Sequence, residues 1–407
     1  MSCEGWKTFK LSQVGNIVTG KTPRTSIIEN YGDNIPFLTP SDDLSVKHIR
    51  HTSRKLSYLG LSEVRNCLLP PNSICVSCIG SDLGKVTITT SNTVTNQQIN
   101  SIIPSDKFDP DFIYYALVLL GKQLKYLSKT STAVPIINKS DFSNNSIFAP
   151  LDKTHQKKIS AVLSSLDDKI ELNNQINANL EQQAQAIFKS WFIDFEPFKN
   201  GEFVESELGL IPKGWNVGKL SDIGDIVGGS TPSKSNESYF TNKGISWITP
   251  KDLSNNKSKF IAKGEVDITT EGLKNSSAKL MPQGSILYSS RAPIGYIAIA
   301  KNDICTNQGF KSIVPSQNIG TEFIYYYLKE KTIDIESQAS GSTFKEISGT
   351  FMKNYPVIIP DATTLTRFNL ICSSFFSQQE KNEEENYHLS KLRDFLLPKL
   401  MSGEIEI

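Results

Sequence analysis

The chain has 407 residues, of which 43 are Lys or Arg and 42 Asp or Glu, giving a formal net charge of +1, and 38% are hydrophobic. This length accommodates about two to three domains, and the apolar content is sufficient for ordinary cores. The longest apolar run, Phe112 to Leu120, is too short for a membrane span, no basic-then-apolar leader is visible, and the six cysteines are sparse, so a soluble cytoplasmic protein without a disulfide framework is expected.

Residues 1–150 hold 15 basic and 11 acidic side chains. They are rich in Thr, Ser, Asn, Pro and Gly, with strand-like runs at Ser73–Ser77 and Lys85–Thr89 and a helical pattern from Pro110 to Leu127, which predicts a mixed α+β domain. Gly15 to Thr22 matches the letters of a phosphate loop, but Pro23 follows where the helix that holds phosphates should begin, so these glycines are read as shaping a turn. Cys75 and Cys78, with His48 and His51, offer zinc-type ligands. The equivalent positions further along the chain are Leu287 and Ser290, so the cysteines are read as small strand residues.

From His155 to Phe195 there is neither proline nor glycine, and Ile159, Val162, Leu163, Leu166, Ile170, Leu180, Ile187 and Trp191 recur at helical spacing, predicting a long helix within residues 151–196. A linker at 197–214 leads to a second mixed domain at 215–360, with strand-like runs at Ser285–Ser289 and Tyr296–Ala300 and a helix from Thr321 to Glu336. Residues 361–407 hold a second long helix and a tail, and Pro398 should kink or end that helix.

The order domain, helix, domain, helix is a duplication. Trp6 to Pro23 aligns without gaps on Trp215 to Pro232, with ten of 18 positions identical at an offset of 209. Thr39-Pro40 meets Thr249-Pro250, Thr95-Asn96-Gln97 meets Thr306-Asn307-Gln308, and Phe112-Ile113-Tyr114-Tyr115 meets Phe323-Ile324-Tyr325-Tyr326. Charge follows the same beat: the four blocks 1–150, 151–212, 213–360 and 361–407 carry +4, −4, +4 and −3. Two one-sided helices related by a local twofold are expected to bury their stripes antiparallel against each other. Both lose the apolar stripe at mid-length, where Asn173 and Asn177 correspond to Asn382 and Asn386. These asparagines either pair across the seam and set its register or mark a solvated middle.

Neither a methyltransferase tetrapeptide nor a hydrolase elbow, zincin motif or nuclease carboxylate cluster stands out, and there are four histidines. The chain reads as a binder without chemistry of its own. It resembles the specificity subunits of type I restriction–modification enzymes in its Gly5-Trp6 start echoed by Pro212-Lys-Gly-Trp215, in Ile187 to Glu196, and in Leu397 to Ile405. The resemblance covers the whole chain. It implies an α+β fold with two target-recognition domains joined by two long antiparallel helices that form a coiled-coil spacer with internal pseudo-twofold symmetry. Each domain would read one half of a split site in double-stranded DNA. Two modification subunits, using S-adenosylmethionine to methylate adenine, would dock on the chain, and restriction subunits, using ATP and Mg, would join through them; no cofactor is expected in this chain itself. A non-catalytic assembly scaffold whose domains bind proteins is the alternative.

Candidate DNA contacts are Arg24, Arg50, Arg54 and Lys85 in the first copy and Lys234, Lys251 and Arg291 in the second. Arg291 aligns with Ile79 and is the only arginine between Gly214 and Pro360; arginine can donate two parallel hydrogen bonds to a guanine edge, with a surface phosphate contact or a salt bridge as the other reading. Trp191, Phe192 and Phe195, beside Asp194 and Glu196, are the candidate partner-docking residues, with packing against the second domain as the other reading.

Overall fold

A computed structural model describes residues 5–129, 136–291, 293–341 and 345–407. The chain divides into two compact units, one formed by Met1–Glu171 with Tyr387–Ile407 and the other by Leu172–Asn386. Neither follows the texture changes of the sequence, because the boundaries fall inside the two long helices, Lys153–Phe192 and Ala362–Met401. At 40 residues, each helix is about 60 Å long.

In the first unit, a five-stranded sheet runs in the order Gly15–Thr19, Ile99–Pro104, Ile74–Ser77, Val86–Thr89 and His48–Ile49. A four-stranded sheet orders Arg54–Leu56, Tyr31–Leu38, Thr93–Thr95 and Leu68–Leu69, and Trp6–Lys10 pairs with Ser146–Pro150. The helix Pro110–Lys129 supplies Phe112, Ile113, Tyr115 and Leu117 to the core. Alternation is weak in the sheet strands because both faces are covered: all four side chains of Ile74–Ser77 and of Val86–Thr89 are buried.

The second unit repeats this plan. Its five-stranded sheet orders Gly224–Gly228, Lys311–Pro315, Ile286–Ser290, Ile294–Ala300 and Phe260–Ile261, and Asn216–Lys219 pairs with Pro356–Ile359. The small sheets share their register. Ile35 pairs Leu56 and Leu38 pairs Thr95 in one copy; Ile245 pairs Ile268 and Ile248 pairs Thr306 in the other. Among the described residues no helix is long and apolar enough to cross a membrane.

The Gly15–Thr22 segment departs from its expected turn. Gly15–Thr19 is a strand, and Gly20 is required by close approach: a Cβ there would lie 2.2 Å from the Asn96 carbonyl oxygen. Gly229 meets the Asn307 carbonyl in the same way, at 2.0 Å. Pro398 does not stop the second long helix at once, since it continues to Met401.

Each unit's core draws on both long helices. Ile159 and Leu163 of the first and Leu397, Leu400 and Met401 of the second join the core of the first unit. Ala184, Phe188 and Phe192 of the first and Leu365, Phe368, Cys372 and Phe376 of the second join that of the other. Leu400 is 1% exposed. Leu400→Ala should therefore destabilise the first unit by about 2–5 kcal/mol, read as faster amide exchange in its five-stranded sheet with exchange in the second unit's sheet unchanged.

Candidate nucleic-acid interface

The structure brings the four mid-helix asparagines together. Asn173 is fully buried, and its Nδ2 donates to Asn386 Oδ1 at 2.9 Å and to Glu385 Oε2 at 2.8 Å. Asn382 Nδ2 donates to Asn177 Oδ1 at 2.8 Å, and Gln379 Nε2 to the Asn177 carbonyl at 3.0 Å. Pairing 173 with 386 and 177 with 382 is what the 209-residue repeat requires of a local twofold, since each contact then occurs twice. The apolar stripe is lost at mid-length because the seam here is built from amides that hydrogen-bond across it, with Asn173 Oδ1 buried and unpaired among the described residues.

Two buried lysines, unforeseen from the sequence, tie each sheet to a long helix. Lys47 Nζ lies 2.7 Å from Asp111 and donates to Ser164 Oγ at 2.6 Å, with the Tyr114 and Tyr115 rings at 5.7 and 5.1 Å. Its counterpart Lys259 donates to Glu181, Gln379 and the Tyr326 hydroxyl at 2.8, 2.9 and 3.0 Å and sits 3.6 Å from the Phe376 ring centre. A lysine recurring with the repeated Tyr-Tyr pair was the available signal; that the pair would wall in a cation was not in the letters. Burial pushes Lys259 down to about 8 against the pull of Glu181. Burial would raise Glu181, but the ammonium groups of Lys259 and Lys329 outweigh it and hold the carboxyl at about 2.

The candidate DNA contacts differ in how far their charge is committed. Arg24 is paired with Glu63 at 3.3 Å, Arg50 with Glu171 at 3.2 Å, and Lys85 with Asp82 at 2.6 Å. Arg291 is not a free loop tip: its backbone bridges Glu346, and its guanidinium meets the Glu346 carboxylate at 3.3 Å. Ile79 makes the equivalent bridge to Ile136, which places the two positions together in the fold. Lys251 pairs with Glu265 at 2.7 Å on a rim that also carries Lys234. Arg54 is held differently, over the Tyr31 ring at 4.6 Å and the Phe37 ring at 5.7 Å.

Each unit has an open cleft against its small sheet. The first, about 560 Å³, is lined by Tyr31, Asp33, Thr52, Ser53, Arg54 and Lys55. The second, about 490 Å³, has Phe240, Trp247 and Val266 as its apolar wall and Lys234, Lys251 and Gln308 among its polar lining. The repeated threonine and glutamine are joined in both copies: Thr22 Oγ1 donates to Gln97 Oε1 at 2.7 Å, and Thr231 Oγ1 to Gln308 Oε1, the second pair lining its cleft.

Phe192 is 6% exposed and packs on Phe323, Phe368 and Trp215, so it is a core residue of the second unit rather than a docking side chain. Trp191 and Phe195 are partly buried against the same core. Phe195 takes a left-handed backbone, φ 52°, where the chain turns out of the helix, and stacks edge-on to Trp215. Cys75 and Cys78 lie in and just beyond a central strand, where they accept hydrogen bonds from Ser101 and Asn100, and burial raises both thiols. Among the described residues no three His, Cys, Asp or Glu side chains converge to hold a metal ion.

A family model described as type I restriction modification DNA specificity domain matches residues 3–182 and 212–384. The chain is 32% identical to the type I restriction enzyme MjaIX specificity subunit of Methanocaldococcus jannaschii, over 99% of this chain and 94% of that one. It is 29% identical to the HindI specificity subunit of Haemophilus influenzae, over 80% and 83%. The type I restriction–modification S subunit of M. genitalium shares the fold, with a TM-score of 0.60 over 98% of this chain and 97% of that structure at 17% identity.

Glu181→Gln removes the anion facing a buried cation, so it should destabilise the second unit by about 3–5 kcal/mol at neutral pH. Because Glu181 titrates at about 2 in the folded state against an ordinary value of 4.5, its stabilisation is complete above 4.5 and disappears as pH falls toward 2. Urea unfolding of both proteins across that range should show the gap between them closing.

Proposed function

The chain belongs to the family of type I restriction–modification specificity subunits, and from that premise we propose that its two units read the two halves of a split, asymmetric DNA site. The observation that carries this reading is the pair of clefts against the repeated small sheet, which share the positions Tyr31/Phe240, Ser53/Glu265 and Arg54/Val266 and carry different chemistry at the last two. One framework with two linings suits two different half-sites; identical half-sites would need no divergence. The lysine-rich composition of residues 213–360 supplies the phosphate attraction that positions a DNA reader.

The long helices serve in this reading as a ruler between half-sites, with the asparagine contacts fixing its register. Modification subunits dock on the helices and bring the S-adenosylmethionine chemistry; restriction subunits with ATP and Mg join through them, and this chain contributes no catalytic group. Support for docking comes from apolar side chains that the helices leave in solvent. Leu392 and Phe395 are 46% and 61% exposed in the first unit, and Leu370 is 74% exposed in the second. With Phe192 in the core, these replace it as the docking candidates, beside the partly buried Trp191 and Phe195.

Inserting one helical turn of four residues into each long helix, between residues 171 and 172 and between 386 and 387, adds about 6 Å. The preferred gap between half-sites should widen, by at most about two base pairs at ~3.4 Å each, with both half-sites unchanged. Methylation-site sequencing of cells carrying the variant with its partners reads this directly; altered half-sites would exclude the ruler. Leu392→Ser with Phe395→Ser should reduce co-purification of the modification subunit at least tenfold while amide exchange in both sheets stays as in the parent. A mobility shift with the chain and its modification partner separates DNA reading from the scaffold alternative, which predicts no sequence-dependent shift.

A further inference from the structure

The small sheets that carry the two clefts correspond residue by residue, and the clefts themselves share the positions Tyr31/Phe240, Ser53/Glu265 and Arg54/Val266. In the first copy, Ile35 pairs Leu56, Pro36 pairs Lys55 and Phe37 pairs Arg54. In the second, Ile245 pairs Ile268 and Ser246 pairs Asp267, so the next step sets Trp247 against Val266. Tyr31 opposite Leu56 likewise becomes Phe240 opposite Ile268. The aromatic wall is therefore common to both domains, while the side chain that lies over it changes from arginine to valine.

Arg54 has the attributes of a reading group. Cross-strand pairing sets it beside Phe37, and the Tyr31 and Phe37 ring centres lie 4.6 and 5.7 Å from its Cζ, which restrains the guanidinium by cation–π contact. Stacking occupies the face of a guanidinium and leaves its in-plane donors available. Among the described residues no carboxylate forms an ion pair with it, whereas Arg24, Arg50 and Arg291 each have one within 3.3 Å. It lines an open cleft whose other walls are small and polar.

We infer that this position is where each domain reads a base edge of its half-site, and that Arg54 reads a guanine there by two parallel hydrogen bonds. The inference rests on the split-site reading proposed above and names the residue that performs it. Val266 offers the second half-site only apolar contact at the same place, so no arginine readout occurs there and the two halves differ at corresponding positions.

The test is methylation-site sequencing of cells carrying the chain with its modification partner, for the parent, Arg54→Ala and Arg54→Lys. A parent pattern that is not split overturns the functional proposal itself, independently of Arg54. With a split parent pattern, the expected result is that both variants accept other bases at one former guanine of one half-site. Discrimination there should fall roughly ten- to hundredfold, while the gap and the other half-site stay as they were. Arg54→Lys retains the charge, so its loss of discrimination with an unchanged thermal midpoint separates guanine reading from phosphate attraction or a folding defect. An unchanged site, a uniform loss of methylation at all sites, or full rescue by lysine would each overturn the assignment.

Discussion

The constraint on which the rest depends is that neither globular fold closes without both long helices. Each unit's core takes in a segment of the helix that follows its globular part in sequence and a segment of the other long helix. A hydrophobic face of a few turns cannot remain in water, and the sheet it covers is left bare without it. This makes the first unit discontinuous in sequence: residues 387–407 are as much part of it as the strand at Trp6. It also makes the helices structural members of the cores rather than passive tethers.

Polar contacts then decide what apolar packing leaves open. Leucine stripes slide at little cost, but buried amides must meet partners or forfeit their hydration. The Asn173–Asn386 and Asn177–Asn382 contacts admit one register, and the repeat generates both from one geometry. Lys47 and Lys259 act similarly where sheet meets helix, because a cation walled in by tyrosines is stable only with its carboxylate and hydroxyl acceptors in place.

A duplicated framework also separates what folding requires from what recognition varies. Gly20 and Gly229 meet carbonyls too closely for any other residue, and the Thr22–Gln97 and Thr231–Gln308 bonds recur, so these positions are tied to the fold. Arg54 and Val266 occupy one place in that framework with unrelated chemistry. Each copy serves as the internal control for the other, which is how an arginine with no ion-pair partner among the described residues becomes conspicuous.

Repetition at an offset of 209, helical spacing over some forty residues and the absence of catalytic motifs were legible in the letters, because they are periodicities and presences that need no third dimension. The strands at 73–77 and 85–89 could be placed for the same reason, and the four asparagines could be matched between the helices, with pairing or a solvated middle left open. What the letters left open was commitment: which charged side chain is neutralised, and which aromatic is core. The letters could not choose between base reading and a salt bridge for Arg291, because Glu346 is 55 residues away in sequence, nor between docking and packing for Phe192, because Phe323 and Phe368 come to it from other elements. Arg54 was one arginine among several until the pairing of its strand put two rings beneath it. Local pattern determines which elements form, whereas burial and charge pairing are sums over neighbours that only the folded chain assembles.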